Sequence, residues 1–158
     1  MQMTPDKKKN KLYIVVPCYN EEQVLGETSK RLKIKCEDLI QKGQISKDSK
    51  IVFVDDGSKD RTWKMISELH ETDSLFSGVK LSRNRGHQNA LLAGLTMASE
   101  HADMAISMDA DLQDDINAVD QMIEKYYEGC DIVYGVRSAR ETDTFFKRFT
   151  AEAFYKLI

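Results

Sequence analysis

The sequence predicts an α/β domain, a Rossmann-like and mainly parallel sheet flanked by helices. Short apolar runs of strand length alternate along the chain with longer segments of helical periodicity. The runs are apolar at successive positions, which is typical of strands covered on both faces. With 158 residues, 41% of them hydrophobic and 31% charged, the chain has the composition of a globular domain with a substantial core.

The individual elements follow from these patterns. Five apolar runs are expected to form strands, at 12–17, 50–54, 79–82, 104–108 and 132–136. Four segments with helical spacing of apolar residues lie between them, at 21–42, 60–71, 87–99 and 115–127. The resulting order β-α-β-α-β-α-β-α-β is the signature of parallel strands joined by crossover helices.

Composition and charge exclude several classes of protein. The chain carries 23 basic and 26 acidic residues, a formal charge of −3, so no broad cationic face is available for nucleic acid. No run of about 18 apolar residues is present, and the basic segment 1–10 lacks the apolar core of a secretion signal. Cys18, Cys36 and Cys130 show no zinc-site spacing and are predicted to be reduced thiols.

Polar clusters follow four of the predicted strands. In open parallel sheets, ligands bind beyond the carboxyl ends of the strands, so these clusters are expected to meet at one edge. They are PCYNEE at 17–22, DDGS at 55–58, RNR at 83–85 and DAD at 109–111.

Each cluster has a functional and a plain structural interpretation. Asp109 and Asp111, with the Gln113 amide nearby, offer hard oxygen ligands to Mg²⁺ or Mn²⁺, although acidic pairs are also common in loops. The 55–58 cluster could hold a base or ribose through a strand-end carboxylate, but its composition favours a turn followed by a helix cap, with Ser58 or Asp60 as the capping residue. The 83–85 cluster is either a solvated loop or a phosphate-facing one.

Two further interpretations concern residues and motifs outside those clusters. His87 and His101 are interpreted as surface or helix-end histidines. The sequence contains neither G-x-G-x-x-G after the first strand nor a P-loop, which argues against a dinucleotide dehydrogenase or a P-loop nucleotidase.

Taken in order, the motifs resemble those of family 2 glycosyltransferases with the GT-A fold, the nucleotide-diphospho-sugar transferase fold. The matching blocks are VPCYNEE at 16–22, VDDGSKD at 54–60, LSRNRGHQNALLAGL at 81–95, MDADLQDD at 108–115 and GVR at 135–137. Within that family, they are most similar to dolichyl-phosphate mannosyltransferases and bacterial undecaprenyl-phosphate glycosyltransferases.

The resemblance implies a donor site. Nucleotide-holding positions of the family match Pro17, Tyr19, Glu21, Phe53 and Asp55. The metal and diphosphate motif matches Asp109, Ala110, Asp111 and Gln113, with Mg²⁺ or Mn²⁺ as the implied cofactor. Arg137 matches an arginine that faces the donor diphosphate, and it completes the implied catalytic set with Asp109 and Asp111.

The implied reaction is inverting transfer of a sugar from a UDP- or GDP-sugar to a polyprenyl phosphate, at the cytoplasmic side of a membrane. The alternatives are a family 2 transferase that elongates a glycan and a donor-binding unit without turnover. The resemblance places the catalytic domain at 11–141, after a basic tail at 1–10. Oligomeric state, base and sugar are not specified by the motifs.

Two departures from the family pattern are visible. The metal motif commonly continues as D-x-D-L-Q-D-P, whereas this chain has Asp115 at the last position, which is expected to alter the start of the following helix. Members also carry acceptor-site residues beyond the equivalent of Ile158. Segment 142–158 is expected to form a basic, aromatic amphipathic helix, either at a membrane interface or packed on protein.

Overall fold

The computed structural model describes residues 9–111, 113 and 115–136. The strand–helix alternation predicted from the sequence is confirmed through the eighth element. The tail at 1–8, Arg137 and the amphipathic segment 142–158 lie outside the described residues. The elements are β1 (Leu12–Cys18), α1 (Leu25–Gln41), β2 (Lys50–Asp55), α2 (Thr62–Thr72), β3 (Phe76–Lys80), α3 (His87–His101), β4 (Met104–Ser107) and α4 (Ala118–Tyr127).

The four strands form one parallel sheet in the order β3-β2-β1-β4. Alternate side chains of β1 enter two different cores, as the pleat of a strand requires. Ile14 packs with α1, α2 and α4 on one face, while Val15 packs against α3 on the other. The sheet is therefore covered on both sides, which explains why the strands are apolar at successive positions.

Gly94 sets how closely α3 approaches the sheet. A methyl group at this position would lie 2.4 Å from Val15 Cγ1 and 2.8 Å from Val54 Cγ2. Both valines are fully buried, and β-branched side chains are stiff. Glycine is required here by the close contact between the helix and the sheet.

The structure corrects several predicted strand boundaries: β2 extends to Asp55 rather than 54, β3 ends at Lys80 rather than 82, and β4 ends at Ser107 rather than 108. β3 begins at Phe76 rather than 79, because Ser77 and Gly78 interrupt the apolar run although both pair in the sheet. A methyl group on Gly78 would lie 2.6 Å from Ile66 Cγ2, so the glycine reflects the closeness of α2. β1 continues through Pro17 and ends at Cys18 rather than at 17. Proline has no backbone N–H to donate to a neighbouring strand. This is tolerated at Pro17 because the pairing between β1 and β4 already ends at Val15.

The prediction of a fifth strand at 132–136 is wrong. Ile132, Tyr134 and Val136 are exposed by 73%, 82% and 85%, and the segment pairs with no strand of the described chain. It lies instead beside a cavity of about 920 Å³ between β4 and α4. An apolar run becomes a strand only where a neighbouring edge supplies a ladder of hydrogen bonds.

No helix in the described part of the chain is long and apolar enough to cross a membrane.

Candidate donor-binding site

The loops that follow β1 and β2 are joined into one unit. Asn20, which has a left-handed backbone conformation (φ 56°), donates its N–H to Ser58 Oγ at 2.9 Å. Its side-chain oxygen accepts the N–H of Lys59 at 2.8 Å. The N–H of Glu21 is donated to Thr62 Oγ1 at 2.8 Å. Hydrogen bonds in both directions fix the two loops relative to each other.

Asp60 lies one residue before the N-cap of α2 and connects that helix to the β1 loop. One carboxylate oxygen accepts the Thr62 N–H at 2.9 Å in the first turn of α2, and the other accepts the Glu22 N–H at 3.1 Å. Burial opposes the charged form, but the hydrogen bonds from Thr62 and Glu22 lower the pKa of Asp60 overall. The N-cap of α2 is Arg61, which makes no side-chain capping bond, and neither Ser58 nor Asp60 is the cap that the sequence predicts. Ser58 Oγ instead accepts the Asn20 N–H of the β1 loop.

Asp55, at the end of β2, is fully buried with one unpaired oxygen. Its Oδ1 accepts the Ser58 N–H at 3.3 Å, whereas Oδ2 has no hydrogen-bond donor among the described residues. An unpaired carboxylate oxygen removed from water is costly, so it calls for a partner such as a ligand, an ion or a water molecule.

Asp56, the next residue, joins three loops. Its N–H is donated to the Cys18 carbonyl at 2.9 Å. Its carboxylate, only 3% exposed, accepts the N–H groups of Arg85 and Gly86 at 2.7 and 2.9 Å. The 83–85 cluster is exposed, and its backbone is attached to the end of β2.

The DAD motif begins two residues after β4 ends. Ala110 is buried, and its carbonyl accepts the Thr28 hydroxyl at 2.6 Å, which anchors the motif to α1. The flanking carboxylates, Asp109 and Asp111, are exposed. Asp109 Oδ1 lies 3.8 Å from His87 Nε2, at the start of α3, and Asp111 Oδ1 accepts the Gln113 N–H at 3.0 Å.

Negative charge accumulates at this edge of the sheet. The pKa of Glu21 is raised first by burial and then by the charges of Asp111 and Asp60. The pKa of the buried Cys18 thiol is raised by burial and by the Glu21 and Asp55 carboxylates. A cation near these carboxylates would therefore relieve electrostatic repulsion.

The residues present fit a Mg²⁺ or Mn²⁺ ion that is shared with a substrate. Among the described residues, no group of three or more His, Cys, Asp and Glu side chains could enclose a metal. Magnesium in phosphate-transfer sites is commonly held by one or two carboxylates together with substrate phosphates and water. Asp109 and Asp111 would supply those two carboxylates.

The predicted nucleotide residues occupy different environments. Tyr19 is 40% exposed on the β1 loop, whereas Phe53 is fully buried and stacks on Phe76, with ring centroids 6.1 Å apart. Pro17 lines a cavity of about 180 Å³ together with His87 and Asp109. The structure thus brings the first and fourth clusters together around α3.

The sequence does not reveal the contacts that three residues make at this edge, namely Thr28, Asp56 and His87. Thr28 lies on the apolar face of α1, where a buried hydroxyl signals a tertiary hydrogen bond. Asp56 was considered only as part of a turn. His87 is exposed at the start of α3, which confirms the prediction of a surface or helix-end histidine. Its proximity to Asp109 follows from the packing of α3 rather than from a local motif.

A parallel α/β sheet with polar loops gathered at its carboxyl edge places the chain among the open α/β domains, which bind their ligands beyond the carboxyl ends of the strands. Comparison with known proteins narrows the class: the family model "Glycosyl transferase family 2" matches residues 13–157, and the chain belongs to that family.

Relatives and solved structures agree with this assignment. The chain is 56% identical over 147 residues to the Bacillus subtilis "Uncharacterized glycosyltransferase YkoT", covering 93% of this chain and 44% of that protein. It is 42% identical over 147 residues to the Escherichia coli "Prophage bactoprenol glucosyl transferase homolog", covering 93% and 45%. The chain thus spans less than half the length of these relatives.

Two solved structures share the fold. The structure of S. aureus TarS in complex with UDP aligns with a TM-score of 0.55 at 20% identity, covering 74% of this chain and 33% of that one. The mannosyltransferase PcManGT from Pyrobaculum calidifontis, in complex with GDP-Man and Mn²⁺, aligns with a TM-score of 0.50 at 25% identity, covering 66% and 28%.

Proposed function

We propose that this chain is the donor-binding part of a metal-dependent, inverting glycosyltransferase that moves a sugar from a UDP- or GDP-sugar to a polyprenyl phosphate at the cytoplasmic side of a membrane. The observation that carries the proposal is the buried, unpaired Oδ2 of Asp55 at the carboxyl end of β2. The exposed carboxylates of Asp109 and Asp111 follow β4 at the same edge of the sheet.

The unpaired oxygen suits a nucleobase. Uracil and guanine both carry a ring N–H next to a carbonyl group, and that N–H can donate to a carboxylate oxygen. A hydrogen bond to a charged group contributes about 1.5–3 kcal/mol. Asp55 would thus recognise the base, while Tyr19 and Glu21 on the neighbouring loop would contact the rest of the nucleoside.

The DAD motif suits the diphosphate of the sugar nucleotide. A divalent cation held by Asp109 and Asp111, with Gln113 nearby, would supply Lewis-acid stabilisation of the diphosphate leaving group. Arg137 is proposed to face the same diphosphate, because its guanidinium matches two phosphate oxygens. The role of these residues is to bind and orient the group that leaves.

The acceptor needs little activation by protein. A phosphate monoester is already anionic near neutral pH, so its oxygen can attack the anomeric carbon as the bond to the donor diphosphate breaks. Relatives described as bactoprenol glucosyl transferases, at 41–42% identity, support a lipid phosphate as this acceptor.

The direct test is binding, because the chain spans less than half of its relatives. Calorimetric titration with UDP, GDP, UDP-glucose and GDP-mannose, first with Mn²⁺ and then with EDTA, should show metal-dependent binding of one nucleotide pair. Binding of none of the four would overturn the donor-site proposal.

Two variants and one control assign the roles. Asp55→Asn replaces an accepting oxygen by an NH2 group, which cannot accept the ring N–H of the base. The loss of this hydrogen bond should weaken nucleotide binding about tenfold or more, since about 1.4 kcal/mol corresponds to a tenfold change in affinity. Asp111→Asn should weaken binding in Mn²⁺ and leave binding in EDTA unchanged. Asp48→Asn, in the exposed turn before β2, is the matched control and should bind as the wild type does.

A further inference from the structure

We propose that Asp56 is a positioning residue for the donor site: it holds the loop between β3 and α3, so that His87 lies beside Asp109 and contacts the diphospho-sugar end of the donor. This inference rests on the proposed function, because it concerns the same ligand. It goes beyond that function by giving roles to Asp56 and His87.

The Asp56 side chain is committed to the loop. It is 3% exposed, and its two oxygens accept one backbone N–H each, from Arg85 at 2.7 Å and from Gly86 at 2.9 Å. Hydrogen bonds from N–H groups to a buried carboxylate are about twice as strong as neutral ones. The side chain thus has a specific, directional task, which a buried packing residue would lack.

The two loops also touch backbone to backbone. Gly57 has φ +71°, and a methyl group on it would lie 2.5 Å from both the Arg83 carbonyl carbon and the Asn84 nitrogen. Only a glycine leaves room for this approach. Asp56 and Gly57 together fix the position of the loop between β3 and α3 relative to the end of β2.

Fixing Gly86 fixes the beginning of α3. Gly86 precedes the helix with φ +89°, and its carbonyl accepts the N–H groups of Asn89 and Ala90 at 3.0 and 3.1 Å. The next residue is His87, whose Nε2 lies 3.8 Å from Asp109 Oδ1. His87 also lines the cavity of about 180 Å³ that includes Pro17, at the proposed donor site.

A merely structural role for Asp56 makes different predictions from a positioning role. If Asp56 acts through His87, the two residues belong to one unit, and the effects of changing them are not additive. If Asp56 only stabilises the domain, its loss weakens every part of the donor equally and adds to the loss of His87.

The experiment is a double-mutant cycle on the full chain with Mn²⁺ present. Dissociation constants are measured for Asp56→Asn, His87→Ala and the double variant, with the sugar nucleotide that the wild type binds (UDP-glucose or GDP-mannose) and with its nucleoside monophosphate. Asp48→Asn and His101→Ala, an exposed residue at the far end of α3, are the matched controls.

The expected result is a loss of about tenfold in sugar-nucleotide affinity for each single variant and no further loss in the double variant. Monophosphate affinity should change less than about twofold, because the base contacts remain in place. A loss of about a hundredfold in the sugar-nucleotide affinity of the double variant would show that the two effects are independent, and it would overturn the proposal. A loss of monophosphate affinity as large as the loss of sugar-nucleotide affinity would also overturn it. If Asp56→Asn unfolds, unchanged sugar-nucleotide affinity in His87→Ala overturns it.

A separate measurement distinguishes failure of this inference from failure of the proposed function. Should the wild type bind no nucleotide, the proposed function fails, and the loop is then tested in the free protein. Amide hydrogen exchange should show that the Arg85 and Gly86 N–H groups are protected in the wild type and exposed in Asp56→Asn. Equal protection in both proteins would rule out the role of Asp56 in holding the loop.

Discussion

Substitution of Gly94 by alanine tests the close packing of α3 on the sheet. The added methyl group would meet Val15 Cγ1 at 2.4 Å and Val54 Cγ2 at 2.8 Å, inside normal contact distance. Both valines are fully buried in the two central strands, so neither can move aside without shifting the sheet. The helix or the strands must therefore shift.

The magnitude follows from two opposing effects. Alanine is a better helix former than glycine by about 0.8–1.0 kcal/mol. Overpacking of a dense core costs about 1–3 kcal/mol, and the short contacts at Gly94 indicate the upper part of that range. We expect a net loss of about 1–2 kcal/mol in the free energy of unfolding.

Urea unfolding of the purified chain measures this loss. With an m-value of about 2 kcal/mol/M, the midpoint should fall by roughly 0.5–1 M. Gly26→Ala is the matched control, because its methyl group would meet only Met65 Cε at 4.0 Å. That variant should be stabilised by about 0.4–1 kcal/mol. A Gly94→Ala protein that is as stable as Gly26→Ala would refute the packing argument.

Three further predictions concern other parts of the molecule. Thr28→Val keeps the shape of the side chain but leaves the Ala110 carbonyl without its buried hydrogen-bond donor. Urea unfolding should show a loss of about 1–3 kcal/mol in the free energy of unfolding, and titration with the sugar nucleotide should show a weaker affinity. Ser49→Ala removes a buried hydroxyl that accepts the first β1 amide and should cost about 1–3 kcal/mol in the same assay. The pKa of Asp73 is lowered, first by its hydrogen bond from Lys33, so its contribution to stability is present above about pH 4 and lost as the pH falls through its folded-state pKa. The difference in Tm between wild type and Asp73→Asn should therefore be largest near neutral pH and shrink in acid; a difference that grows in acid would contradict this sign.

The sheet could be predicted because its strands leave a strong local pattern. β1 and β2 are almost entirely buried, so nearly every position in them is apolar. β3 was misplaced because Gly78 serves the packing of α2, a reason that no local pattern contains. Segment 132–136 had the right composition for a strand but has no partner strand in the described structure.

The sequence predicts which clusters lie at the carboxyl edge of the sheet but not the contacts between their residues. Asp55 is the last residue of β2, the DAD motif begins two residues after β4, and parallel strands bring their carboxyl ends to one edge. The proximity of His87 to Asp109 depends on the strand order β3-β2-β1-β4 and on the face that α3 covers. The bonds from Arg85 and Gly86 to Asp56 cross about thirty positions of sequence, so spacing could not reveal them.

The three cysteines give the chain a built-in attachment point for a spectroscopic probe. Cys18 and Cys36 are buried, and burial raises the pKa of both thiols, that of Cys36 to about 12, so little thiolate forms at neutral pH. Cys130 is exposed and lines the space between β4 and α4. A maleimide fluorophore should therefore label Cys130 selectively in the native protein, with no other thiol removed, and report directly on whatever enters that space.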